Sequence, residues 1–269
     1  MLVASTRMYN VAPAATAAWH RLLGHVFQVA GLSLRIDDHP HPASLASLWG
    51  RPDLGCAFMC GWPLAQEAGS RPVIAAPIPL GSAGPRYHSV FVVKATDRFQ
   101  TLEQTFGHRF AFNARSSHSG WNMPQAYLAR IGGTFAAELG PFGPHQNAAA
   151  AVLAGEADVA AIDSLVWALL CRHANDLAAG LRVVGQTPDQ PSPPFVGSAA
   201  LRPGDAKILR AAFLGLSKDA AGQVLLADVC LAGFAPASLA DYDETLAIHP
   251  AAVAPMLLEL RPPPNGEAV

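Results

Sequence analysis

Apolar positions along this chain follow two alternating rhythms, one of period two and one near 3.6, and the switches between them outline its elements. Residues 2–6 form a short apolar strand. After Pro13, which suits a first helical turn, Trp19, Leu22, Leu23, Val26 and Val29 recur at helical spacing up to Gly31, the expected C-terminal stop. A second unit follows, with a helix over 43–49, a strand over 54–59, a turn at Cys60-Gly61-Trp62-Pro63 and a further strand over 71–79. Alternation of this kind builds parallel sheets.

The run Tyr-His-Ser-Val-Phe-Val-Val-Lys over 87–94 predicts a strand, and a new alternation beyond it marks the start of a second lobe. It comprises a short helix near Leu102, a strand over 109–113, and a helix opened by Ser116-Ser117-His118-Ser119-Gly120 that runs to about Ile131 and stops at Gly132-Gly133. A helix over 146–154 ends at Gly155. A buried strand over 158–162, a helix over 164–174 and a strand over 181–186 come next. The proline-rich stretch 188–194 marks the return crossing, two amphipathic helices over 205–216 and 220–230 close the domain, and the tail past Arg261 is expected to be disordered.

Composition narrows the function classes. A chain of 269 residues suits one large α/β unit or two interlocked lobes, and 51% apolar with 14% charged residues excludes a disordered or fibrous protein. A net charge of −2, with 18 basic residues scattered along the chain, leaves no electrostatic footprint for nucleic acid. The longest apolar stretches, 73–80 and 148–154, fall far short of the ~20 residues of a membrane span. Met1 is followed by Leu-Val-Ala-Ser-Thr with no basic region, apolar core or cleavage site of a signal peptide, which points to the cytoplasm, or to the periplasm if the true start lies upstream. Cys56, Cys60, Cys171 and Cys230 lack paired spacing, so buried thiols are expected rather than zinc or disulfides, and neither a metal nor another cofactor is assigned.

The strongest chemical signal is the helix start around Ser117. Hydroxyls and free backbone N–H groups at the positive end of a helix dipole hold oxyanions: Ser117 and Ser119 supply hydroxyl donors, and Gly120 lets a ligand approach the backbone. A plain serine N-cap accounts for the same residues. Asp163 closes an apolar strand, beyond whose carboxyl end ligands of open α/β sheets sit. It can pair with a cationic part of a ligand, hold a neighbouring hydroxyl or histidine, or cap the next helix. His118 and His145 precede helices, where an imidazole can donate to an oxyanion. Tyr9, Trp62 and Tyr87 at loop tips offer apolar walls and hydroxyl contacts, with core packing as the default. The chain has no G-x-S-x-G elbow, H-E-x-x-H, P-loop or Rossmann glycine pattern, so no catalytic set is assigned.

Five stretches taken in order, Tyr87-His-Ser-Val-Phe-Val-Val-Lys, Phe106-Gly-His-Arg-Phe-Ala-Phe-Asn113, Ser117-His-Ser-Gly120, Gly155-Glu-Ala-Asp-Val-Ala-Ala-Ile-Asp163 and Gly233-Phe-Ala-Pro236, resemble the phosphate/phosphonate substrate-binding protein family. The likeness spans roughly residues 2–242, with His118 where the family usually has threonine. It implies a type II periplasmic-binding fold of two α/β lobes, each a mixed, mostly parallel sheet flanked by helices, joined by two hinge strands. One lobe would take about residues 1–92 plus 196–269 and the other 93–195, with ligand at the hinge. The phosphorus oxyanion would rest on Ser117, Ser119 and the backbone around Gly120, with Asp163 facing the ligand and Tyr9 and Cys60-Gly61-Trp62 contributed by the first lobe. The implied function is a monomeric binding protein for a small phosphate- or phosphonate-like anion that feeds an ABC transporter permease. Two alternatives use the same cleft. One is a cytoplasmic enzyme on this fold, of the menaquinone- or thiamine-precursor type, with His118, His145 and Asp163 as acid–base groups and Cys60 as nucleophile if its thiol is exposed and its pKa lowered. The other is a ligand-sensing module.

Overall fold

Three consecutive buried residues open the chain as strand β1 (Val3–Ser5), in a computed structural model that describes residues 1–67 and 71–248. Helix α1 (Pro13–Ala30) follows, with proline in its first turn and Trp19, Leu22, Leu23 and Val26 on its buried face. It ends at Gly31, whose φ of 63° lies in the left-handed region that glycine enters without a Cβ penalty. Strand β2 (Arg35–Ile36), helix α2 (Leu45–Trp49), β3 (Leu54–Phe58), α3 (Gly61–Ala65) and β4 (Val73–Pro79) complete this run. The turn expected at residues 60–63 is the start of α3. Pro63 does not interrupt that helix, because its missing N–H falls in the first turn, where no intrahelical partner exists.

The strand expected over 87–94 is broken at His88 into β5 (Arg86–Tyr87) and β6 (Ser89–Lys94). Beyond it come β7 (Arg109–Ala111), α4 (Met123–Ile131), β8 (Ala137–Leu139), α5 (His145–Ala154), β9 (Val159–Asp163), α6 (Ser164–His173), α7 (Asn175–Ala179) and β10 (Leu181–Gln186). The chain returns through β11 (Gln190–Pro191) and β12 (Phe195–Val196), then adds α8 (Pro203–Gly215), α9 (Ala220–Asp228), β13 (Leu231–Ala235) and α10 (Glu244–Ala247). The tail past Arg261 lies outside the described residues.

The strands form a six-stranded sheet ordered β13-β4-β12-β3-β1-β2 and a five-stranded sheet ordered β10-β6-β9-β7-β8. In the first, β1 runs parallel to β2 and β3, while β12 is antiparallel to both β3 and β4, so β1 to β4 share one direction. In the second, β7 runs parallel to β8 and β9, and β6 opposes β9 and β10. The chain passes from the first sheet to the second through β5 and back through β11, and these two crossing segments pair with each other, Gln190 opposite Tyr87. This is the two-lobed, mixed α/β architecture with two hinge strands that the sequence leads one to expect.

Helices on both faces explain why β3 and β9 are buried along their whole length. Between the six-stranded sheet and helices α1 and α8, Phe58, Phe195 and Phe213 stack at centroid distances of 3.8 and 4.7 Å, and Trp19 meets Phe58 edge-on at 5.2 Å. Phe110 and Phe135 stack at 4.6 Å in the other lobe. Among the described residues no helix is long and apolar enough to cross a membrane.

Candidate functional site

The carboxyl ends of β1, β3, β7, β8 and β9 deliver their loops to one cavity of about 670 Å³ between the two sheets. The loops of the six-stranded lobe contribute Arg7, Cys60, Trp62 and Arg71, and those of the five-stranded lobe contribute Asn113, Ser117, Ser119, His145 and Asp163. Hydrogen bonds join these loops. The backbone N–H of His118 donates to Cys60 Sγ at 3.2 Å, and the Tyr9 hydroxyl donates to Asp163 Oδ2 at 3.3 Å.

Ser117 caps the helix start, its Oγ accepting the Gly120 N–H at 2.9 Å. Its own hydroxyl proton is left over from that bond and can be donated towards the cavity. The first turn, residues 118–122, is wound as a π turn that continues into α4, with Asn122 N–H donating to the Ser117 carbonyl at 3.1 Å. Ser119 Oγ lies 3.1 Å from His145 Nε2 at the start of α5. Burial pushes the His145 pKa down to about 4, opposed by the nearby Ala161 carbonyl, so the ring is neutral at pH 7. The space that a Cβ at Gly120 would occupy is taken by Asn113, whose Oδ1 would sit 1.8 Å away. Glycine is needed here for the asparagine to pack against the helix start.

Asp163 holds a hydroxyl and caps a helix at once. Its Oδ1 accepts the N–H groups of Leu165 at 2.8 Å and Val166 at 3.2 Å, while Oδ2 receives Tyr9. Burial pushes its pKa up to about 7 even though these three donors pull the other way. Burial likewise raises Tyr9 and Tyr87 well above the ordinary phenol value, with the Asp163 charge adding to both. The Cys60 thiol is buried and raised to about 11, chiefly by desolvation, so it meets neither condition set for a nucleophile.

Of the residues singled out from sequence, the cavity gathers Cys60, Trp62, Ser117, Ser119, His145 and Asp163 on its surface. Tyr9, Gly61, Tyr87, His118 and Gly120 are buried and stand outside that lining. Tyr9 packs edge-on to Phe58 at 4.7 Å, and a Cβ on Gly61 would come within 3.0 Å of Tyr242. The His118 side chain is fully buried between its cavity-lining neighbours.

A family model described as "ABC transporter, phosphonate, periplasmic substrate-binding protein" matches residues 56–242, a span that includes both the Ser117 helix start and Asp163. The chain belongs to this phosphonate substrate-binding family. Its fold is shared with a binding protein component of an ABC phosphonate transporter from Pseudomonas aeruginosa, at 18% identity and TM-score 0.74, over 96% of each chain. It is shared also with PhnD1 from Prochlorococcus marinus in complex with methylphosphonate, at 20% identity and TM-score 0.75, over 92% of this chain and 96% of that one. A histidine kinase sensor domain with similarity to periplasmic binding proteins aligns at 14% identity and TM-score 0.57, over 87% of this chain and 97% of that one. No curated protein sequence matches the chain.

In this member of the phosphonate substrate-binding family, sequence patterns missed Arg7 and Arg71 as cavity residues. Arg71 is held by Glu67, its Nε 2.6 Å from Oε2 and its Nη2 2.8 Å from Oε1. Arg7 has no such partner among the described residues, and its Nε is shut off from water. Burial lowers its pKa from the ordinary guanidinium value. A signal for Arg7 was present: it is a lone basic residue two positions past a buried strand, at the sheet end where ligands sit.

Proposed function

We propose that the protein binds a small phosphonate- or phosphate-type oxyanion in the cleft and delivers it to an ABC transporter permease. The observation that carries this reading is the Ser117–Ser119 helix start, which presents two hydroxyls to a 670 Å³ cavity between the lobes. An oxyanion there gains the Ser117 hydroxyl, the Ser119 hydroxyl when His145 Nε2 carries the ring proton and donates to it, and the positive end of the α4 helix. We further propose that the lobes rotate about the β5 and β11 crossings to close over the ligand. We place the division between them at His88, a reading supported by the pairing of β6 within the five-stranded sheet.

Calorimetric titration with methylphosphonate, phosphate and sulfate tests this. Ser119→Ala is expected to weaken the best-bound anion by about 10- to 100-fold, the worth of one hydrogen bond to a charged group. Ser117→Ala should do the same and also cost about 1 kcal/mol of ligand-free stability through its lost cap. Unchanged affinity in both variants would sink the proposal.

A further inference from the structure

The charges lining the cleft are unevenly satisfied. Besides histidines, the charged side chains there are Arg7, Glu67, Arg71 and Asp163 among the described residues. Glu67 and Arg71 occupy each other, and Arg71 also donates to the Gly197 carbonyl at 3.2 Å. Both oxygens of Asp163 are engaged, by Tyr9 and by the first turn of α6. Among the described residues no lining carboxylate is therefore free to receive an ammonium group. Arg7 is the opposite case: among the described residues no hydrogen bond or ion pair engages its guanidinium, and its Nε is closed off from solvent. A guanidinium offers donors in a rigid fork that matches a planar or tetrahedral oxyanion, and leaving such donors unpaired away from water is costly.

Position adds a second constraint. Arg7 stands on the loop after β1 in the six-stranded lobe, whereas Ser117 and Ser119 belong to the five-stranded lobe, and all three line the same cavity. Its volume of about 670 Å³ is in the range of pockets that enclose whole small molecules, well beyond one tetrahedral anion. We infer that the ligand is a phosphonate carrying a second acidic group, such as a carboxylate, with Arg7 gripping that second group while Ser117 and Ser119 hold the phosphorus end. This rests on the oxyanion reading of the Ser117–Ser119 helix start. It selects against aminoalkylphosphonates, whose ammonium would meet an unpaired guanidinium and no free carboxylate.

The test is a calorimetric comparison of methylphosphonate, aminomethylphosphonate and phosphonoacetate on the full chain, with Arg7→Gln and Arg7→Lys beside the wild type. Wild-type protein should prefer phosphonoacetate over methylphosphonate by about tenfold or more, with aminomethylphosphonate weakest. Arg7→Gln should erase that preference, weakening phosphonoacetate about tenfold more than methylphosphonate. Arg7→Lys, which keeps the charge but not the fork, should retain part of it. Equal loss for methylphosphonate and phosphonoacetate would place Arg7 on the phosphorus group and overturn the inference, as would a wild type that prefers aminomethylphosphonate or binds all three alike. If Arg7→Gln does not fold, the wild-type ranking and Arg7→Lys decide. Wild-type protein that binds none of the three would remove the oxyanion reading itself, whereas binding without preference removes only the assignment of Arg7.

Discussion

Gly120→Ala is expected to destabilise the protein by about 3 kcal/mol, read as a lower urea midpoint at unchanged slope. A Cβ there would fall 1.8 Å from Asn113 Oδ1, 2.6 Å from its Cγ and 3.1 Å from His145 Cε1. The asparagine cannot yield cheaply, since its Oδ1 accepts the Ala114 N–H at 2.8 Å and the side chain is buried in the loop after β7. Helix start, asparagine and histidine would have to part, and those are the groups that line the cleft. Asn113→Ala in the same chain removes the obstructing atoms, so the double variant should recover much of the loss, a coupling that a general weakening of α4 would not show. A Gly120→Ala protein as stable as wild type would mean that Asn113 swings aside freely.

Asp163→Asn should flatten the pH dependence of stability. Burial holds the folded-state pKa of Asp163 at about 7 against an ordinary 3.8, so between those values the native protein keeps a proton that the unfolded chain releases. Stability therefore falls as pH rises from about 4 to about 7 and levels off above that, the reverse of a salt-bridged carboxylate. The amide retains an oxygen for the Leu165 and Val166 N–H groups and has no charge to desolvate. The variant's advantage over wild type should therefore grow with pH, by an amount on the order of a few kcal/mol. Urea melts of both proteins between about pH 4 and pH 8 read this directly. A slope that persists in the variant would assign the proton to another group.

Both predictions rest on contacts between segments far apart in the chain, which is also where sequence and structure part. Periodicity and caps placed α1 with its Gly31 stop, the buried strand that became β9, and the Ser117 cap, because each is decided within one or two turns of chain. Asp163 was open between capping a helix and holding a hydroxyl, and the fold uses both oxygens. Strands β8 and β13 went unread. The first has only three residues, and the second is an apolar run directly after a helix, where period alone does not separate strand from helix. The break at His88 was equally silent, since it arises from Tyr87 pairing with Gln190 across the return crossing.

The sequence by itself therefore determined most of the strands and helices, though not β8 or β13, together with the two-lobed class and the anion-suited helix start, all of which follow from local spacing, capping and a family likeness. Which side chains face the cleft was decided only by tertiary structure. Tyr9 reaches Asp163 across 154 positions of sequence, Cys60 meets the His118 backbone across 58, and the fate of each ring or charge depends on what the other lobe presents to it. Burial drew Tyr9, Tyr87 and His118 out of the lining and left the Arg7 guanidinium in it without a partner among the described residues, because desolvation and pairing are properties of the assembled cavity and have no counterpart in the linear chain.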